Sequence, residues 1–390
     1  MDEVRIGIIG IGNMGFAHAK CIGSGEIEGL KLTALCDLDE EKIDKVRKEF
    51  PDIPVFIDYK ELLGSGLVDA IIIAVPHILH ADIAIDAFDS GLHVLVEKPA
   101  DIMTSKARAM NEAAEKSGKV FCIMFNQRTN PIFAKAREIV QSGQLGALKR
   151  LVWIITNWYR TQHYYDSGSW RATWSGEGGG VLLNQAPHNL DLMQWIFGMP
   201  IKIRAFCSVA KYHDIEVEDD ATIYAEYKNG ATGVFITSTG ECPGTNRLEI
   251  SGDLGKLVLE DGKLKWWKLN QPEREFCFNV KEGFYEPSTE YCEFAAENQG
   301  TAHKGILQNF SDAILKHEEL LAPGYDGINE LQISNAAYLS SFQDRWVELP
   351  VCEKEFEECL KQLAINSGGS QMFTSHSMSS GYNERWQVRW

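Results

Sequence analysis

The stretch Val4-Arg-Ile-Gly-Ile-Ile9-Gly10-Ile11-Gly12-Asn13-Met14-Gly15 decides the fold. A short β-branched run meets a glycine cluster, and residues 13–22 then have helical character. Gly-x-Gly-x-x-Gly between a strand and a helix is the pattern of a dinucleotide-binding turn. Each glycine answers a separate demand. Gly10 permits the tight turn, Gly12 lets the backbone approach a pyrophosphate, and Gly15 lets helix and strand pack closely. The helix start offers unpaired N–H groups and a positive dipole end to phosphate. Asn13 and Met14, inside the turn, are expected to line the same site. The next apolar run, residues 30–36, ends at Asp37. A carboxylate there accepts hydrogen bonds from both ribose hydroxyls and repels a 2′-phosphate. NAD is therefore expected over NADP.

Outward from this turn, strand and helix alternate. Residues 55–57, 70–75, 93–96 and 120–125 read as strands, and 39–50, 77–90 and 105–117 as helices. Asp58, three residues before Glu61, resembles a capping box that opens a further helix. The pattern predicts an α/β Rossmann domain over residues 1–125, a doubly wound parallel sheet.

From residue 147 the pattern becomes alternating apolar and polar runs, at 148–159, 202–209, 221–227, 232–238, 247–251 and 256–260. Lys228-Asn229-Gly230 and Asp261-Gly262 supply hairpin turns. Helices are expected near 187–197, 305–317 and 328–341. Residues 126–365 should form a C-terminal α+β domain with a large, mostly antiparallel open sheet, serving substrate binding and oligomerisation. A sheet with helices on one face must hide the other, which points to a homodimer or homotetramer. Residues 366–390 open with a Ser- and Gly-rich stretch and read as a flexible tail.

The chain has 390 residues, 44% hydrophobic and 24% charged, with a formal net charge of −17. That charge argues against a nucleic-acid or anionic-membrane partner, which needs a basic face. Neither a signal peptide nor an apolar run of membrane-spanning length is visible, and the nine cysteines show no Cys-x-x-Cys pair. The expectation is a cytoplasmic protein with reduced thiols and no metal site.

Four motifs in order resemble the glucose-fructose oxidoreductase / inositol dehydrogenase / rhizopine-catabolism (Gfo/Idh/MocA) family. They are the glycine turn with His18, Ala74-Val75-Pro76 with His77 and His80, Glu97-Lys98-Pro99, and Gly178-Gly-Gly180 leading to Asn184-x-x-x-His188-x-x-Asp191. The resemblance implies that Ala74, Pro76, His80, Glu97, Lys98 and Asn126 flank the cofactor. It implies that Lys98 contacts both the nicotinamide ribose and a substrate hydroxyl, with Glu97 orienting it. A cation there stabilises the alkoxide that forms as hydride leaves. His188 is the second catalytic candidate, an imidazole suited to proton transfer near its ordinary pKa. The family commonly carries Asp four residues before this His, and this chain has Asn184. An amide cannot share a proton, so acid–base work shifts toward Lys98 and His188, with Asn184 as a polar clamp.

Residues 158–174 are rich in aromatic, Arg and His side chains, which suits either a carbohydrate pocket or a subunit contact. Tyr159, His163 and Arg171 are the substrate candidates there, with Arg128 after the sixth strand. The expected function is NAD-dependent oxidation of a secondary hydroxyl on a sugar, on a glycoside such as a glucoside at C3, or on a cyclitol. A myo-inositol 2-dehydrogenase is one alternative. Another is a glycosidase or lyase that oxidises its sugar transiently and returns the hydride.

Overall fold

A computed structural model describes residues 3–367 except 169, 297 and 299. The predicted tail lies outside the described residues from 368 onward. The first sheet comprises β1 (Val4–Ile9), β2 (Leu30–Cys36), β3 (Val55–Phe56), β4 (Ala70–Ile73), β5 (His93–Val96) and β6 (Phe121–Ile123). Its order is β3-β2-β1-β4-β5-β6, and every pair is parallel. The order reverses beside β1, and ligands of such sheets bind at that switch, outside the carboxyl ends of the strands. Helices cover both faces, so the central strands read as unbroken apolar runs. Ile71, Ile72 and Ile73 are all fully buried. Each contributes roughly 1.5–3 kcal/mol by leaving water. Asp58 does cap the helix Tyr59–Gly64, its side chain accepting from the Lys60 N–H.

The second sheet has nine strands: β7 (Leu148–Ile155), β8 (Lys202–Val209), β9 (Glu218–Glu226), β10 (Thr232–Ser238), β11 (Asn246–Gly252), β12 (Gly255–Glu260), β13 (Lys263–Leu269), β14 (Thr289–Ala295) and β15 (Val347–Glu348). The order is β14-β13-β12-β11-β7-β10-β9-β8-β15. All neighbours are antiparallel except β7 and β10. That parallel pair forces a crossover, and the crossover carries residues 156–201. The predicted first strand of this sheet therefore ends at Ile155, four residues short of the expected limit. Its continuation turns away to build a site.

Leu151, Trp153, Ile155, Phe235, Ile223, Leu248 and Ile250 face the covering helices and are buried. Val152, Ile154, Val234 and Ile236 alternate with them and are only partly covered. The chain then returns to the first sheet. The helix Ala302–Lys316 hydrogen-bonds the β1–β2 connection through Gln308 and Ser311 at Glu28. The Ile123 N–H donates to the Ala322 carbonyl at 3.0 Å. Residues well past 125 thus complete the N-terminal half.

Candidate active site

The glycine turn has the shape of a phosphate cradle. Gly10 has φ +89°, and a Cβ there would lie 2.5 Å from the Ala74 carbonyl oxygen. A Cβ at Gly15 would sit 1.8 Å from the Gly10 carbonyl oxygen, whereas one at Gly12 would meet nothing within 4 Å. Two glycines thus close the turn, and the third leaves the opening a diphosphate needs. Asn13 and Met14 are half-buried beside it, at the start of the helix Asn13–Gly23. The Asp37 carboxylate is held at the end of β2 by the Ile11 N–H at 2.6 Å and the Asp39 N–H at 3.0 Å. Each oxygen keeps a lone pair for a ribose hydroxyl. The residues present therefore fit a nicotinamide dinucleotide.

Glu97-Lys98-Pro99 follows β5 at the same edge. Glu97 is buried, with Oε1 2.7 Å from His18 Nε2. Burial pushes its pKa up, but the hydrogen bond and charge of His18, with His303 and Lys98, outweigh it and hold the pKa at about 2. His303 approaches from the returning helix, its Nδ1 3.3 Å from Asn126 Nδ2. Burial takes its imidazole down to about 4, with Glu97 opposing and His18 and Lys98 reinforcing. Ala74, Val75 and Pro76 are half-buried after β4. His80 Nε2 lies 2.9 Å from the Val75 carbonyl and Nδ1 2.8 Å from that of Pro99, so this ring ties the two turns together.

The second half closes over this edge. Lys98 Nζ donates to the main-chain carbonyl of Asn184 at 2.7 Å. Asn184 and His188 flank the start of the helix Pro187–Phe197, whose Pro187 needs no N–H partner in the first turn. His188 is 8% exposed. Burial, reinforced by the charges of Lys98 and His303, drives its pKa well below the ordinary value. It is therefore a neutral ring at neutral pH, where the sequence reading expects an ordinary imidazole. The glycines ahead of it are held from below. Glu218 accepts from the Gly180 and Leu182 N–H groups at 2.9 Å and from Tyr338 Oη at 2.8 Å. Burial raises this carboxyl to about 7, against those hydrogen bonds.

Two further carboxyls nearby escape a reading of spacing. Glu177 directly precedes the glycines, is 1% exposed, and accepts from Asn184 Nδ2. That adjacency is the one cue the sequence carries. Glu330, on the helix Gly327–Phe342, is fully buried, and neither oxygen has a hydrogen-bond partner among the described residues. Burial and repulsion from Asp191 raise its pKa well above normal, with Lys98 opposing.

The structure brings some predicted substrate residues to this edge and turns others away. Arg171 stacks on Tyr164 and Trp170, donates to Tyr164 Oη at 2.9 Å, and lies within electrostatic reach of Glu177. Trp170 packs edge-on against His77, 5.4 Å between centroids, so this crossover touches the first sheet. Tyr159 and His163 are exposed at its outer part. Arg128, expected at the substrate, points inward and is 2% exposed. Its guanidinium donates to Asp191 at 2.9 and 2.6 Å, to Asp326 at 2.7 Å and to the Leu321 carbonyl at 3.1 Å. A buried guanidinium needs such counter-charges, and Asp191 and Asp326 supply them. Asp191 is thereby a structural partner of Arg128. No group of three or more His, Cys, Asp or Glu is placed to hold a metal among the described residues.

A parallel sheet with a diphosphate cradle at its switch point, and a lysine at the end of β5, define a nicotinamide-dependent oxidoreductase. The chain belongs to the GFO/IDH/MocA oxidoreductase family: its NAD-binding Rossmann domain matches residues 4–125 and its C-terminal domain residues 133–258. The scyllo-inositol 2-dehydrogenase (NAD(+)) of Bacillus subtilis is 26% identical over 265 residues, 66% of this chain and 74% of that protein. The alpha-N-acetylgalactosaminidase of Shewanella oneidensis is 29% identical over 194 residues, 47% of this chain and 42% of that protein. Among solved structures, the WlbA dehydrogenase from Chromobacterium violaceum, in complex with NADH and UDP-GlcNAcA, superposes with a TM-score of 0.77 at 23% identity. That match covers 90% of this chain and 97% of the other.

Proposed function

We propose that this protein oxidises a secondary hydroxyl of a sugar, glycoside or cyclitol with NAD⁺. The observation that carries the reading is the Lys98 ammonium, held against the Asn184 carbonyl where the two halves meet, beside a neutral, buried His188. Gly10, Gly12, Asn13, Met14, Gly15 and Asp37 hold the dinucleotide, and Ala74, Pro76, His80, Glu97 and Asn126 flank its nicotinamide end. When bound, the nicotinamide would supply the hydride acceptor for the carbinol carbon. The chain's own groups handle the rest. Lys98 hydrogen-bonds the reacting oxygen and stabilises its developing negative charge. A neutral His188 takes the hydroxyl proton. Burial of His188 limits water's access to its ring.

Arg171 and the exposed Tyr159 and His163 border the outer end of the cleft. A long aromatic border suits a glycoside better than a bare cyclitol, and a glucoside oxidised at C3 is the preferred case. A panel of glycosides and inositols, read by NADH absorbance, tests both levels. Turnover of inositols alone removes the glycoside preference, and turnover of nothing removes the reading. Similarity to an alpha-N-acetylgalactosaminidase favours one alternative, glycoside cleavage by transient oxidation. Bond cleavage without net NADH, by protein that co-purifies with NAD, would select it.

We also propose that the open face of the second sheet is covered by another copy of the chain. Its half-covered Val152, Ile154, Val234 and Ile236 form an apolar strip, flanked by Arg150–Glu249 and Arg247–Glu260 ion pairs. Light scattering on Ile236→Asp should show a smaller species than the parent. Among the described residues no helix is long and apolar enough to cross a membrane. Cytoplasmic location stays our proposal.

A further inference from the structure

Glu177 is a carboxylate that the proposed chemistry leaves unused, yet it is built into the cleft. Its Oε2 accepts from the Ala172 N–H at 2.6 Å, and its Oε1 accepts from Asn184 Nδ2. Ala172 adopts φ +52°, a left-handed conformation that an alanine takes only under constraint. The turn is thus folded back so that its N–H reaches Glu177. The Glu177 main-chain carbonyl in turn faces His77 Nδ1 at 3.3 Å, across the join to the first sheet. Lys98 and Arg171 are the cations that face this carboxylate.

This wiring decides which way Asn184 points. An amide is ambiguous until its partners are known. Burial raises the Glu177 pKa, against Arg171, the Ala172 N–H, Asn184 and Lys98; in its ionised form the group can only accept, and Asn184 then presents its NH₂ to it. The end left over is Oδ1, an acceptor. Asn184 is part-buried, and its own carbonyl holds the Lys98 ammonium. Whatever lies beside the reacting hydroxyl therefore meets an oxygen that wants a donor.

We infer that Glu177 is a positioning residue that locks Asn184 with Oδ1 toward the cleft, selecting substrates with a hydroxyl donor adjacent to the carbon being oxidised. The substrate class is a vicinal diol; a deoxy or O-methyl neighbour leaves Oδ1 unpaired. This rests on the proposed placement of substrate beside Lys98 and Asn184. A glutamine at 177 has one acceptor and one donor end. It cannot serve both Ala172 and an unflipped Asn184, so Glu177→Gln should turn the amide over and show the diol a donor. Glu177→Gln with Asn184→Asp rebuilds the pair in reverse, the Gln amide donating and the Asp offering an oxygen to the cleft.

The first test needs no substrate. In protein labelled with ¹⁵N-asparagine, the Asn184 side-chain signal is the one lost in Asn184→Asp. Its exchange with solvent should be slow in the parent and at least ~10-fold faster in Glu177→Gln, the loss of about one hydrogen bond to a charged group. Equal exchange in both overturns the pairing, whatever the enzyme acts on. The second test uses the best diol of the panel at saturating NAD. Because a hydroxyl accepts as well as donates, Glu177→Gln should leave the KM for the diol within a few-fold and NAD affinity unchanged, but cut the discrimination against the O-methyl analogue, whose ether oxygen can accept from the flipped amide, by about 10-fold. The double variant should restore that discrimination. Asn184→Asp alone sets two carboxylates together, so its activity should recover on acidification, and the double variant should lack that pH dependence. The Asn184→Asp profile also serves should Glu177→Gln fail to fold. A double variant that discriminates no better than Glu177→Gln, or a deoxy or O-methyl analogue turned over by the parent as well as the diol, overturns the inference. A parent inactive on the whole panel sinks the proposed function, and the labelled-amide experiment still judges the Glu177 pair.

Discussion

Residues 10–15 and residues 158–188 flank one cleft and are built on different principles. In the glycine turn the work is done by absent side chains: backbone approaches backbone, and the only specific group is Asp37, itself tethered by two N–H groups. In the crossover the work is done by side chains that hold one another, as in Glu177 with Asn184 and Arg171 with Tyr164. The first kind of site is a property of spacing along the chain. The second exists only once distant segments meet. A steric site should fail abruptly under the smallest substitution, and a wired site should fail by degrees and respond to pH.

The largest expected effect breaks the first region. Gly15→Ala places a Cβ against the Gly10 carbonyl and should abolish NAD binding together with much of the fold's stability. Gly12→Ala meets no protein atom, so its melting temperature should match the parent while NAD affinity falls. Fluorescence titration and thermal melts read both. A Gly12→Ala protein that binds NAD like the parent would falsify the cradle. Next, Lys98→Met should lower kcat/KM by about 10²–10⁴-fold and change NAD affinity far less. A comparable loss of NAD affinity would make Lys98 a cofactor clamp alone.

Arg128 separates wiring from recognition. Arg128→Met leaves Asp191 buried without its counter-charge and should cost roughly 3–5 kcal/mol in denaturant unfolding. A raised KM with unchanged stability would return Arg128 to the substrate. The smallest effect concerns Glu330. Its raised pKa means the folded state holds a proton that the unfolded chain releases above about pH 4.3. Stability contributed by that group is present below the unfolded pKa and is lost as pH rises toward the folded value. Glu330→Gln should therefore raise the melting temperature more at pH about 8 than at about 5, by roughly 2–4 °C for each ~1 kcal/mol gained. An equal gain at both would show that the carboxyl is ionised or solvated.

Legibility in the sequence divides along the same line. Strand–helix alternation over 4–125, the cradle, Asp37 and the family motifs were readable because each is local: a period, a turn or a strand end. The second sheet was partly readable. Its alternating runs showed β7 to β12, but β13, β14 and the two-residue edge strand β15 were missed: β13 buries only Leu264 and Trp266 between lysines, and the edge strand β14 is mostly exposed, so neither carries a strong apolar run. Arg128 was misread because nothing near it in sequence announces Asp191 and Asp326, respectively 63 and 198 residues away. Glu177 was overlooked because one carboxylate before three glycines has no spacing rule.

From residue order alone came the dinucleotide turn, the doubly wound sheet and the lysine at the end of β5. Each depends on backbone geometry within a few residues, which neighbours in the chain dictate. Tertiary packing alone settled that burial beside Lys98 and His303 depresses the His188 pKa, that Arg128 is a buried anchor and that Asn184 is wired to Glu177. Charge state and amide orientation depend on desolvation and on partners brought together through space, and no local pattern encodes either.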